Sequence, residues 1–111
     1  MLHKELRINR GKDYSSIYKK SKKIRGNYVI VFARENHLNH NRFGIVTSKK
    51  IGNAVVRNRA KRQIREIIRI NINKIQIGYD VVIVAKFNIK EAIFEKIEID
   101  LLRIIKKAIK Y

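Results

Sequence analysis

Between residues 54 and 69 two periodic patterns share one stretch of chain, and together they leave little choice of local structure. Ala60, Ile64, Ile67 and Ile68 recur at i, i+4, i+7 and i+8, the apolar stripe of a helix lying on a core. Asn58, Lys61, Arg62, Arg65 and Arg69 recur at i, i+3, i+4, i+7 and i+11, a second stripe that is cationic in all but its first member. Glu66 is the one acid in this stretch. Five of the chain's 11 arginines (Arg57, Arg59, Arg62, Arg65 and Arg69) fall within thirteen consecutive residues, a clustering that a general bias toward lysine does not explain. Mixed charges along a helix usually mean a solvated face, whereas a row of one sign calls for a polyanion. Lys49 and Lys50 extend the patch from the loop leading in, and Asn58 offers donor and acceptor to a base edge or a ribose hydroxyl.

The rest of the chain supplies what such a helix needs to pack against. Its 111 residues contain no Pro, no linker-like tract and no repeat, so residues 1–111 read as a single domain. A polar opening includes Leu6 and Ile8. Asp13 then stands where it could cap a short helix on which Tyr14, Ile17 and Tyr18 share a face, and Lys19, Lys20, Lys22 and Lys23 crowd its far end in keeping with the helix dipole. Residues 28–33 and 43–47 are β-branched and aromatic, and they read as an antiparallel pair joined by the polar loop between them. The unbroken apolar run 81–85 suits a strand covered on both faces. Residues 90–111 carry Ile93, Ile97, Leu101, Ile104 and Ala108 among Lys and Glu, the pattern of a closing helix. The expected order is α-β-β-α-β-α, a small α+β sandwich of helices on a sheet.

Lys and Arg number 27 against 9 Asp and Glu, a net charge of +18 that strains a compact chain unless a polyanion covers it. Nucleic acid is the first partner this suggests. A membrane is the second, but the apolar runs are far too short to span one and no signal-peptide pattern opens the chain, so a soluble cytoplasmic protein is expected. The absence of cysteine removes disulfides, thiolate ligands and thiol nucleophiles. Other catalytic material is poor. Glu91, Glu95 and Glu98 read as an ion-paired solvent face, Asp80 and Asp13 have structural roles at hand, and His37 and His40 lack a third ligand, so no metal site is expected. Ser48, before two lysines, suits phosphate contact better than nucleophilic attack. Tyr14 and Tyr18 are open to two readings: core packing, or a platform on which unpaired bases stack beside basic residues.

Residues 48–66, Ser-Lys-Lys-Ile-Gly-Asn-Ala-Val-Val-Arg-Asn-Arg-Ala-Lys-Arg-Gln-Ile-Arg-Glu, closely resemble the signature of the bacterial ribonuclease P protein family, whose hallmark is an Arg-Asn-Arg stretch on a helix. The order of elements and the run 79–86 fit as well, so the resemblance covers nearly the whole chain. It implies an α-β sandwich with a left-handed βαβ crossover through the Arg-rich helix, against the usual right-handed rule. It implies that Arg57, Asn58, Arg59, Lys61, Arg62 and Arg65 contact a catalytic RNA. Tyr14, Tyr18 and the strand position of Val31 would hold the 5′ leader of precursor tRNA in a cleft. The RNA would perform Mg2+-dependent hydrolysis and bind most of the metal, the protein alone would not be catalytic, and no other protein would be obligatory. The family often has Phe where Tyr14 and Tyr18 stand, an aromatic in the place of Val31, and Pro in the place of Phe87. Two rival readings remain: an RNA-binding module, ribosomal or other, uninvolved in processing, and a metal nuclease that cleaves unaided.

Overall fold

The computed structural model describes residues 7, 8 and 11–109, with the backbone alone at 11–13. Helix α1 spans Gly11–Lys19. Strands β1 (Lys22–Arg25), β2 (Val29–Glu35) and β3 (Arg42–Val46) follow, then helix α2 (Ala54–Asn71), strand β4 (Tyr79–Ala85) and helix α3 (Phe94–Ala108). The strands lie in the order β1-β2-β4-β3; β3 and β4 run parallel, and the other neighbours are antiparallel. Helix α2 is therefore the crossover between two adjacent parallel strands. The central place of β4 follows from its sequence, since Val81, Val82 and Ile83 are all wholly buried and only a strand covered on both sides can hide three consecutive side chains.

The pleat divides those side chains between two layers. Val29, Val31, Ala33, Val81 and Ile83 join Ile64, Ile67 and Ile68 of α2 and Leu101, Ile104 and Ile105 of α3 in the main core. Each isoleucine buried there contributes about 1.5–3 kcal/mol by leaving water. Val82 faces the other way, into a smaller cluster with Ile17 of α1 and Ile8. One face of the sheet is thus roofed by α2 and α3, and the other is only partly covered, by α1.

Three expectations are corrected. Lys22 and Lys23 do not belong to a helix end: residues 22–25 form β1, which pairs antiparallel with β2, so the order is α-β-β-β-α-β-α. A short strand rich in exposed lysine suits the edge of a sheet, where charge discourages further pairing. Strands β2 and β3 are not partners, because β4 inserts between them. The polar loop that joins them arches over the start of β4 and is bonded to it: Asn36 N–H donates to Gly78 O at 2.9 Å, Asn41 Nδ2 to Gln76 O at 2.9 Å, and Tyr79 N–H to Asn41 Oδ1 at 2.8 Å. The closing helix starts at Phe94, leaving Ile93 exposed ahead of it, while a single 3-10 turn over Phe87–Glu91 carries Ile89 inside. Asp13 falls within the first turn of α1, and its side chain, like Leu6, Lys110 and Tyr111, lies outside the described residues. Among the described residues no helix is long and apolar enough to cross a membrane.

Candidate nucleic-acid interface

Helix α2 is started by its own sequence. Asn53 is extended and its Oδ1 accepts from Val56 N–H at 3.1 Å, the side-chain cap that satisfies an otherwise unpaired donor. The turn before it needs a glycine: Gly52 has φ +155°, and a Cβ there would stand 3.1 Å from Val56. Ile51 is buried beside it, so the loop is nailed down while Ser48, Lys49 and Lys50 stay exposed at the helix N-terminus. No acid occupies that first turn, and the dipole there favours anions.

Along α2, Asn58, Arg59 and Arg62 are exposed and Arg57, Lys61 and Arg65 half-buried. The expected stripe runs roughly 10 Å from Asn58 to Arg65 at the usual helical rise, with Arg57 and Arg59 flanking it. Arg69 departs from it. Its guanidinium is taken by Glu66 one turn back, with Nε donating at 2.9 Å, and that bond holds the Glu66 carboxyl below its ordinary value. Among the described residues no carboxylate pairs with Arg57, Arg59, Lys61, Arg62 or Arg65. These cations lie on the molecule's surface, exposed or half-buried.

Helix α1 builds a second surface. It crosses the open face of the sheet with Ile17 wholly buried and Tyr14 seated over Gly44, where a Cβ would come 2.8 Å from the phenol ring. Arg34 fastens it to the sheet, donating to Ser16 Oγ at 2.6 Å. Tyr14 and Tyr18 lie 6.4 Å apart, Tyr18 meets the edge of Phe32 at 4.8 Å, and Lys23 Nζ stands 5.5 Å from the centre of the Phe32 ring. Tyr18 is 41% exposed, so the ring cluster is a surface and not a closed core. Burial raises both phenols above their ordinary value, and Tyr18 adds to the effect on Tyr14, so both keep their hydroxyl protons at neutral pH. The strand aromatic of this groove is Phe32. Val31, assigned there from the sequence, is 0% exposed and points into the main core. A shift of one residue along a strand exchanges the two faces. The signal lay two residues on: Arg34 is charged, so Phe32 shares the open side with it.

The groove is braced by a row of charges that lies across the sheet. Register places Arg34 and Arg42 on either side of Asp80. Asp80 is fully buried and accepts from Arg42 Nε and Nη2 at 2.8 and 2.7 Å and from Asn36 Nδ2 at 3.0 Å, with Arg34 at 3.5 Å. Burial pushes its carboxyl up, but the bonds from Arg42 and Asn36 and the charges of both arginines outweigh it and hold the group below its ordinary value. Asp80 is thus structural, as its place at the strand start suggested. Glu98, expected on an ion-paired face, accepts from Asn71 at 2.9 Å and ties α2 to α3. Among the described residues no three His, Asp or Glu side chains come close enough to share a metal ion.

The two surfaces meet. A recess of about 210 Å³ is lined by Arg7, Ile8, Tyr14, Phe43, Gly44, Ile45 and Arg65, so its walls come from α1, β3 and the cationic stripe of α2. Sequence reasoning missed Arg7, Lys23, Phe32 and Gly44, which act through contacts distant in the chain.

Comparison with known proteins agrees with this layout. The family model for ribonuclease P matches residues 2–109. The ribonuclease P protein component of Syntrophomonas wolfei is 43% identical over 108 residues, covering 97% of this chain and 91% of the relative. That of Fusobacterium nucleatum is 43% identical, covering 91% of this chain and 95% of the relative. The solved structure of the ribonuclease P protein from Thermotoga maritima superposes with a TM-score of 0.87 at 32% identity, covering 95% of this chain and 98% of that one.

Proposed function

Because this chain belongs to the ribonuclease P protein family, we propose that it acts as the RNA-binding subunit of a ribonucleoprotein that removes the 5′ leader of precursor tRNA. Arg57, Asn58, Arg59, Lys61, Arg62 and Arg65, with Lys49 and Lys50, bind the catalytic RNA. The groove of Tyr14, Tyr18 and Phe32 receives the single-stranded leader, whose bases stack on the rings while Lys23 attends the backbone. The observation that carries this reading is the row of α2 cations that meets no carboxylate among the described residues and adjoins an exposed aromatic groove at one recess.

The division of labour follows from what the side chains offer. The two buried acids are engaged within the fold: Asp80 by Arg42 and Asn36, and Asp100 by Arg103 and the Asn27 and Tyr28 amides. In this reading Mg2+ belongs mainly to the RNA partner, where it would supply the activated water and charge stabilisation of phosphodiester hydrolysis. This chain contributes position: it fixes the leader relative to the catalytic RNA and lowers the repulsion between two polyanions. No other protein is required, and the assembly works in the cytoplasm.

The test is reconstitution. Added to a bacterial ribonuclease P RNA at low Mg2+, the protein should restore release of the leader, and without RNA it should release none. Cleavage of precursor tRNA by protein and Mg2+ alone would transfer the chemistry to this chain and refute the proposed roles. RNA binding with no gain in processing would instead favour an RNA-binding module outside tRNA maturation.

A further inference from the structure

The recess between α1, β3 and α2 contains an unmet demand. Arg7 pairs with the outer edge of β3 through a parallel bridge to Phe43, and the next amide, Ile8 N–H, donates to Phe43 O at 2.9 Å, so its backbone is held in place. Its Nε is shielded from solvent and, among the described residues, has no hydrogen-bond partner. Buried donors of that kind are nearly always satisfied, and a guanidinium offers only donors, so what is missing is an acceptor. Arg65 lines the same recess, and among the described residues no carboxylate answers it either. Among the described residues no acid contributes to the lining. Gly44 keeps the floor open, since any side chain there would collide with Tyr14.

Two guanidiniums on one concave site free of carboxylates match an oxyanion in charge and in donor geometry. We propose that this recess seats one backbone phosphate of bound RNA between Arg7 and Arg65, at the seam between the helix that meets the catalytic RNA and the groove that takes the leader. The proposal rests on the proposed function, in which RNA covers this face. It adds a residue, Arg7, that neither motif nor stripe contains, and it gives Arg65 a partner distinct from those of Arg59 and Arg62. The phosphate comes from either of two backbones, the leader or the catalytic RNA.

The experiment uses the full chain with a bacterial ribonuclease P RNA. Arg7→Gln, Arg7→Lys and Arg62→Gln are compared for affinity to the catalytic RNA, and for holoenzyme affinity to leader-bearing and mature tRNA, over a range of salt. Arg7→Gln should weaken one of these interactions about tenfold, the order expected for a lost bond to a charged group. It should also flatten the salt dependence by about 0.7–0.9 in log–log slope, one phosphate's worth. Arg7→Lys should keep the slope. A loss confined to leader-bearing substrate assigns the phosphate to the leader; a loss in binding the catalytic RNA assigns it there. Without RNA, the melting temperature of Arg7→Gln should not fall, because among the described residues the wild-type Nε has no hydrogen bond to lose. Unchanged affinities and slopes in Arg7→Gln, with Arg62→Gln weakened, would overturn the phosphate site alone. A melting temperature that drops with RNA affinity would show Arg7 to be merely structural and overturn it too. If Arg62→Gln is also silent, the wider reading of α2 fails with it.

Discussion

Adjacent residues on β2 have opposite fates, and they make the sharpest test of the groove. Phe32→Ala should keep the chain folded, at some cost in stability from its packing on the smaller core cluster, and weaken leader-bearing substrate by about 1–3 kcal/mol per unstacked base, with little effect on mature tRNA. Val31→Ala should cost on the order of 2 kcal/mol of folding stability through a core cavity without discriminating between substrates. Paired denaturation and binding curves check both. Sequence alone could not separate the two, since residues 29–33 are apolar throughout and alternation is invisible in such a run. Asp80 supplies a pH prediction. Its carboxyl titrates below the ordinary value in the folded chain, so folding favours the ionised form. Its contribution to stability is complete above the ordinary carboxylate range and is lost as pH falls through it toward the folded value. Asp80→Asn should therefore destabilise by about 3 kcal/mol at neutral pH, where two arginines lose the carboxylate they share, and the gap to wild type should narrow in acid. A constant gap across a urea titration series from pH 7 to pH 3 would contradict the role assigned to those ion pairs.

At the level of elements, legibility followed the range of the signal. Helix α2 and the central strand β4 are readable because their periodicity or continuity is complete within a few turns of chain. The pairing of β2 with β4, and not with β3, depends on a strand more than thirty residues away, and the local pattern of either partner permits both choices. Strand β1 was hidden by its lysines, which serve a helix end and a sheet edge equally well. The cationic row was legible almost whole. Its one misplaced member, Arg69, is lost to Glu66 at a spacing that the sequence does display. The helix bearing the row is held from beneath and from its start. Ile64→Ala should cost about 2–5 kcal/mol and Asn53→Ala about 1 kcal/mol, measurable by urea denaturation. Asn53→Ala should also weaken catalytic-RNA binding through fraying of the turn that carries Arg57.

For the whole molecule, the decisive quantity is the distribution of charge. The formal +18 is largely unneutralised within the fold, and the surfaces where it gathers are α2 with its leading loop and the rim of the aromatic groove. A chain so charged folds against its own repulsion, and covering these surfaces with RNA should raise its melting temperature in a salt-dependent way. The central claim is that the cationic row of α2 faces structured RNA while the opposite side of the same helix closes the core. It is tested most directly by the salt dependence of binding to catalytic RNA for the wild type and for a chain carrying Arg59→Gln, Arg62→Gln and Arg65→Gln. Three neutralised phosphate contacts should lower the log–log slope by about 2–3 and leave the folded structure and its urea midpoint nearly unchanged. An identical slope in the two chains would place these guanidiniums outside the interface and contradict the claim.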